Sequence, residues 1–384
     1  MHPADMIFFW ARSNPEQPAL IQPDMVVTYR ELAEAIESVA GRVAHYGFNK
    51  QEPVAVSIQQ PIQKLAVSFA LMRHGISVAP VNRAALPHLR SNGIYNVIFT
   101  GEGLMLSGGR NIRFEESWLK RDANAAAAKR PVGESLAGDA MTIFLNPAAA
   151  GGLKRTIVPS GALMARIGML PLIGEANYDR VLILPSVNSP SGFCRAAVNL
   201  YAGRTACFAG NDAAQLLAID TFNIDALVCS PQQADELIEF VGKSGAHRFD
   251  SLREVWIEDG YVSKDLGGRI QNHLCRNVIA GYGSSESGRI ALANFDMIAD
   301  RPEAVGFVVP HATVEIVDDN DTPFPPGEVG RVRCRTEYFC RMFAANNPER
   351  ASEANDKWWY PGDLGRLTSD GMLCISRSTV KSRA

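Results

Sequence analysis

The sequence predicts an α/β protein, and three observations carry that prediction. Short runs rich in Val, Ile and Leu alternate with stretches whose apolar residues recur at helical spacing. These runs fall into two series, separated by an Ala-rich stretch, Asn124 to Glu134, that reads as a connector. After about Asp300 the pattern changes to strand-like segments punctuated by tight turns, which marks a small β-rich portion.

In the first series, Pro53 to Ile58 is an apolar run broken only by Ser57 and reads as a strand. Pro61 to His74 follows as a helix, with proline suited to its first turn and Gly75 to its end. Ile76 to Val81 and Asn96 to Thr100 read as the next strands. The second series holds Val181 to Leu184, Thr205 to Ala209, Ala226 to Cys229 and Glu254 to Ile257. In the last portion Val305 to Val317, Gly330 to Arg335 and Gly371 to Ile375 read as strands. Asp318 to Asp321, Pro325-Pro326-Gly327 and Ser369-Asp370-Gly371 read as the turns between them.

Composition narrows the function classes. Of the 384 residues 46% are hydrophobic and 21% charged, enough apolar content for two or three packed layers. A formal net charge of −3, with both signs interspersed, gives no reason to expect nucleic acid or an anionic membrane as partner. The apolar patch Ile7 to Trp10 is interrupted at once by Arg12 and lacks the layout of a signal peptide. No run of eighteen apolar residues occurs, so no membrane span is expected. The seven cysteines form no CxxC pair and sit among apolar residues, as in Ala226-Leu227-Val228-Cys229. That setting suits reduced core thiols, and cytoplasm is the expected compartment.

Three stretches could carry chemistry. The first is Gly281-Tyr282-Gly283-Ser284-Ser285-Glu286-Ser287-Gly288, after the apolar Val278-Ile279-Ala280. Glycines flanking an aromatic let the backbone pass close to a flat ligand, and the tyrosine face suits a base. The Ser285 hydroxyl fits a phosphate, and the Glu286 carboxylate fits Mg²⁺ held alongside substrate phosphates. Read locally, the same stretch is a Gly/Ser turn between a strand and a helix. The second is Trp359 to Gly365, where Asp363 either forms a Pro-Gly turn or presents its carboxylate to a ribose diol. The third is Asn146 to Lys154, where Gly151 and Gly152 could wrap backbone N–H groups around phosphates and Lys154 neutralise their charge. It lacks the Gly-Lys-Ser/Thr ending of a P-loop, and a surface loop is the plain alternative.

The order and spacing of these stretches resemble the AMP-binding motifs of the adenylate-forming superfamily: acyl- and aryl-CoA synthetases, peptide-synthetase adenylation domains and luciferases. The likeness extends over essentially the whole chain. Val27 to Leu32, Gly75 with Val78 to Asn82, Val305-Gly306, Pro325 to Gly330 and Tyr360 to Gly365 are similar to further landmarks of that family. The resemblance implies a large N-terminal domain over 1–375. This would comprise two αβ-layered subdomains to about 300 and a small β-barrel-like one over about 301–366, with 376–384 as a hinge remnant. It also implies that the chain stops about where the family's C-terminal lid begins, so that the lid is absent here.

Carried over residue by residue, the resemblance implies that Tyr282 packs on adenine with Gly281 and Gly283 beside it. Ser285 would meet the α-phosphate, Glu286 would hold Mg²⁺, and Asp363 would bind the ribose hydroxyls. Arg377 would be the hinge arginine, and Lys154 with Gly151 and Gly152 the remnant of the phosphate loop. The implied cofactors are ATP or AMP and Mg²⁺, with coenzyme A as an optional thiol acceptor. The implied partners are a small carboxylic acid and either a lid-bearing chain or a second copy of this one.

The sequence departs from the family in three places. Pro147, Ala148, Ala149 and Ala150 stand where hydroxyl-bearing residues normally grip pyrophosphate, and neither residue type offers a side-chain donor. Glu258-Asp259-Gly260-Tyr261 replaces a small Gly-rich segment, and carboxylates there would repel phosphates unless they face solvent or meet a cation. Asn188 stands where acyl-CoA synthetases often carry a gating histidine. Two functions follow: an AMP-forming acid ligase, or a catalytically impaired relative that holds AMP, an acyl-adenylate or a partner. A dinucleotide-binding oxidoreductase is disfavoured, because no GxGxxG opens a helix after an early strand and no acidic partner follows at the right distance.

Overall fold

The computed structural model describes residues 3–50, 52–102, 105–120, 140–147, 153–169, 178–244, 249–301, 303–346 and 356–376. In chain order the elements begin with α1 (Pro3–Ser13), β1 (Pro18–Gln22), β2 (Met25–Thr28), α2 (Tyr29–His45), β3 (Val54–Ser57) and α3 (Pro61–Arg73). Strands β4 (Val78–Pro80), β5 (Asn96–Phe99), β6 (Arg110–Arg113), β7 (Met141–Pro147) and β8 (Leu153–Pro159) follow, then α4 (Ser160–Met169), β9 (Arg180–Ile183), α5 (Pro190–Tyr201) and β10 (Thr205–Cys207). Next come α6 (Asp212–Thr221), β11 (Ala226–Cys229), α7 (Pro231–Ser244), β12 (Glu254–Ile257), α8 (Lys264–His273), β13 (Val278–Ser284) and β14 (Gly288–Asn294). The last are β15 (Ala304–Val308), β16 (Ala312–Val317), β17 (Gly330–Thr336), α9 (Glu337–Asn346), β18 (Leu364–Leu367) and β19 (Met372–Ile375).

The chain divides into two compact units, Met1–Ile167 with Ser186–Phe208, and Gly168–Pro185 with Ala209–Ala384. The first unit holds a six-stranded sheet in the order β6-β5-β3-β4-β7-β8. Its members β3, β4, β5 and β6 run parallel, and β7 and β8 close it as an antiparallel pair. A second group pairs β1 with β10 in parallel and with β2 in antiparallel fashion. All four residues of β3 are buried, which is why its sequence is apolar without alternation. Helix α2 starts on a reciprocal cap between Thr28 and Glu31, and α3 ends where Gly75 adopts φ +72°. The β7–β8 register brings Pro147 opposite Leu153 and Asn146 opposite Lys154. Residues 148–152 themselves, like the expected connector at 124–134 and Arg377, lie outside the described residues.

The second unit is built on strands in the order β16-β17-β18-β19-β15-β14-β13-β12-β11-β9. Strands β9, β11, β12 and β13 are parallel, and every pairing from β13 through β14, β15, β19, β18, β17 and β16 is antiparallel. Two sequence readings need correction here. The stretch Val305 to Val317 is not one strand: a turn at Pro310 and His311 separates β15 from β16, because proline at 310 cannot donate to a ladder. The Gly/Ser stretch after Ala280 does not lead into a helix: it continues β13 and turns straight back into β14. The apolar side of the antiparallel strands packs around Ile290, Val314, Ile316, Val332, Cys334, Leu373 and Ile375, with Tyr282 and Trp359 against that cluster.

Candidate functional site

Strand β13 is the last parallel strand and the first antiparallel one, and its carboxyl end lies beside those of β11 and β12. Open α/β sheets bind ligands at such carboxyl ends. Gly281, Tyr282 and Gly283 close the strand, with a bulge between Tyr282 and Gly283 in the pairing with β14. A Cβ at Gly283 would land on the carbonyl oxygen of Gly288, so the hairpin itself demands glycine there. A Cβ at Gly281 would meet the Arg289 Nε at 2.8 Å. Gly283 is therefore required by the protein's own packing, and Gly281 makes room for the Arg289 side chain.

The hairpin tip is held from several directions. The Ser284 and Ser287 side chains lie 3.1 Å apart, and each accepts a hydrogen bond from the other's backbone N–H at 3.1 Å. Thr336 donates to the Ser287 carbonyl at 2.9 Å, and Tyr338 donates to the Ser285 carbonyl at 3.2 Å. Gly288 reverses the chain at φ +67°. Ser285 and Glu286 sit half-buried on this pinned tip. A half-exposed carboxylate on a rigid turn fits a divalent cation whose other ligands are water and phosphate oxygens.

The Tyr282 hydroxyl donates to Asp363 Oδ2 at 2.5 Å, joining residues 81 positions apart. Asp363 follows Gly362, which turns the chain at φ +87°, and its carbonyl accepts from the Val332 N–H at 3.0 Å. Two of the residues singled out in the sequence thus meet directly, through strand pairings that the sequence does not announce.

Glu258, at the end of β12, is buried and ion-paired with Arg289 of β14. The guanidinium also sits 5.0 Å from the centre of the Trp256 ring, and the Trp256 indole donates to Glu254 at 2.6 Å. Of the two carboxylates expected to trouble a phosphate, Glu258 meets a cation and Asp259 is exposed, in a left-handed conformation at φ +60°. Half-buried His311 is held below its usual pKa, first by burial. A hydrogen bond to the Arg289 backbone opposes that shift, and the nearby Arg289 charge adds to it. Its Nδ1 is buried with no partner among the described residues.

In the first unit, Lys64 of α3 is almost fully buried, and its ammonium donates to the Val81 carbonyl at 2.9 Å and to the Asn188 side chain. Burial lowers its pKa to about 8. Asn188 in turn bonds Ser186 Oγ at 3.0 Å, just before Ser189 caps α5. Lys154 is placed by its backbone alone, on β8.

Sequence reasoning missed Arg289, Thr336 and Tyr338. Arg289 had one available signal, as a lone charge opening the apolar Ile290-Ala291-Leu292-Ala293. Cys194, Cys207, Cys229, Cys275, Cys334 and Cys374 are buried and outside any disulfide. Burial pushes the Cys334 thiol up to about 12, against a hydrogen bond from Ser287 that lowers it, and raises Cys229 further. These thiols are poor nucleophiles. No described helix is long and apolar enough to cross a membrane.

A sequence profile of the family described as AMP-binding enzyme matches residues 7–92 and 162–343, more than half of the chain. The chain belongs to that AMP-binding enzyme family. The matched segments of this family member include β13, β14 and the Glu258–Arg289 pair, and end before Asp363. Phosphinothricin tripeptide synthetase PhsC of Streptomyces viridochromogenes is 25% identical over 400 residues, which cover 94% of this chain and 34% of that protein. The chain thus spans about a third of the length of that relative. Among solved structures it is similar to VinN, with a TM-score of 0.84 and 19% identity over 98% of each chain. It is also similar to o-succinylbenzoate coenzyme A synthetase (MenE) of Bacillus subtilis in complex with AMP, with a TM-score of 0.80 and 19% identity over 97% of this chain and 98% of that one. At these identities the two structures establish a shared α/β fold for this chain.

Proposed function

We propose that this chain carries the nucleotide- and acid-binding portion of an adenylate-forming ligase. In the first step a carboxylate oxygen of a small organic acid attacks the α-phosphorus of ATP, giving an acyl-adenylate and pyrophosphate. In a second, optional step the coenzyme A thiol attacks the acyl carbonyl, loses its proton, and AMP departs. Tyr282 would face the adenine, with Gly281 and Gly283 beside it, and Asp363 would take the ribose hydroxyls. Ser285 would meet the α-phosphate, Glu286 would hold Mg²⁺, and Lys154 with Gly151 and Gly152 would lie toward the pyrophosphate. Arg377 would serve as the hinge arginine. Bound Mg²⁺ would neutralise phosphate charge. The rest of the catalysis is positioning and electrostatic stabilisation by fixed donors.

The observation that carries this reading is the Tyr282–Asp363 contact at the carboxyl edge of the parallel strands. It sets an aromatic face and a diol-accepting carboxylate next to a pinned Ser/Glu tip, which matches the base, sugar and α-phosphate of a nucleotide in order. The names of similar proteins, a coenzyme A synthetase holding AMP among them, agree with it.

A second reading is favoured by one feature, the run Pro147-Ala148-Ala149-Ala150. Each missing charge-assisted donor forfeits roughly 1.5–3 kcal/mol of phosphate binding, so AMP or an acyl-adenylate would be held better than ATP. Calorimetric titration of the purified chain with AMP and with Mg-ATP decides between them. Binding of both supports the ligase, binding of AMP alone supports the impaired relative, and binding of neither overturns the nucleotide reading.

A further inference from the structure

We propose that the Tyr282 hydroxyl is the positioning group for Asp363, holding its carboxylate ready for a vicinal diol, so that Tyr282 governs recognition of a nucleotide's sugar. This inference rests on the nucleotide reading above and assigns the tyrosine a task separate from facing a base. Asp363 is half-buried and follows a glycine at φ +87° in a Pro-Gly turn. Its backbone is anchored by the Val332 N–H at 3.0 Å. Its side chain has one partner among the described residues, the Tyr282 hydroxyl on Oδ2 at 2.5 Å, while Oδ1 has none there.

A hydrogen bond of that length to a carboxylate belongs to the strong class. Without it, Asp363 would rotate freely until a ligand arrived, and the lost freedom would weaken binding. The tyrosine can act as the fixed point because its own ring packs against the cluster around Ile290, Val314 and Val332. An ionised carboxylate offers about four lone-pair sites. Tyr282 occupies one, which leaves room for both hydroxyls of a diol. The contact therefore orients the carboxylate without blocking it.

The test is calorimetric, with AMP and 2′,3′-dideoxy-AMP as probes on the wild-type chain, Tyr282→Phe, Asp363→Asn and the double variant. Phenylalanine keeps the ring and its packing. Tyr282→Phe is expected to weaken AMP by roughly five- to ten-fold, the scale of one ordinary net hydrogen bond, and the dideoxy nucleotide by less than about two-fold on the same basis. Adding Tyr282→Phe to Asp363→Asn is expected to cost nothing further. An equal loss for both nucleotides, or no loss for either, overturns the positioning role while leaving the nucleotide reading intact. Failure of the wild-type chain to bind AMP overturns that reading and this inference with it.

Discussion

Arg289 lies across the backbone of Gly281 and closes its guanidinium on the buried carboxylate of Glu258. Both side chains are about nine-tenths withdrawn from solvent. Their mutual attraction roughly balances the cost of burying them, but removing one partner strands the other. Arg289→Met is therefore expected to destabilise the protein by about 3–5 kcal/mol. Combining it with Glu258→Leu should recover most of that loss. Urea unfolding of the two single variants and the pair measures the coupling. Additive effects would mean that the two charges do not support one another.

Gly283 and Gly268 form an internal control for backbone demands. At Gly283 an added Cβ would strike the Gly288 carbonyl oxygen, which belongs to the opposing strand and cannot give way. Gly283→Ala is expected to cost at least about 2 kcal/mol. Gly268 lies within α8, where an added Cβ meets nothing within 4 Å. Gly268→Ala is expected to stabilise by roughly 0.5–1 kcal/mol. Thermal unfolding of the two variants should move in opposite directions.

Lys64 makes stability depend on pH in the alkaline range. Its folded pKa of about 8 lies below the ordinary 10.5. Between those values the unfolded chain holds the proton and the folded chain does not, so stability rises with pH through that window and is lowest below it. Replacing Lys64 by Met should remove a slope of up to about 1.4 kcal/mol per pH unit between pH 8 and 10. Denaturation curves of both proteins at pH 7 and pH 9.5 test this. A gap that stays constant with pH would refute the depressed pKa.

His311 acts in the acid range. Burial, and after it the Arg289 charge, disfavours its protonated form against the opposing backbone hydrogen bond. The unfolded chain takes up a proton just below pH 6.5 that the folded one resists, so stability falls as pH drops through that value. His311→Gln should flatten this fall between pH 7 and 5. The comparison is read from unfolding midpoints at several pH values.

The phosphate-loop sequence gives an expectation for ligand discrimination. Ala149→Thr with Ala150→Thr restores two hydroxyls, and ATP should tighten by at least about ten-fold while AMP changes little. Equal changes for both nucleotides in a titration would place the loop away from the terminal phosphates.

The parallel strands were legible because burial on both faces writes a continuous apolar run, as in Ala226-Leu227-Val228-Cys229 and Val255-Trp256-Ile257. The antiparallel region was less so. Val305 to Val317 looked like one segment because the break at Val309-Pro310-His311 is only three residues wide. The stretch after Ala280 has the composition of a turn, and its strand character comes from pairing with β14, which composition does not encode. Tyr282 and Asp363 could each be singled out from motif likeness, yet their contact depends on how β13 and the Asp363 turn converge around β17. Arg289 escaped notice because its partner, Glu258, sits 31 residues away on another strand.

Strand β13 joins the parallel strands to the antiparallel ones, and a strand in that position is open to a hazard of its own. Slipping it by one residue would send Tyr282 to the opposite face of the sheet and put a glycine where the phenol meets Asp363. Two features work against that error. The space beside Gly288 admits no residue larger than glycine, and the space under Arg289 is nearly as strict. A shifted strand would have to place Tyr282 or Ser284 in one of these spaces. The two glycines therefore act as a key that fits in one frame only, and the aromatic ring is delivered to the site side because every neighbouring frame is sterically shut.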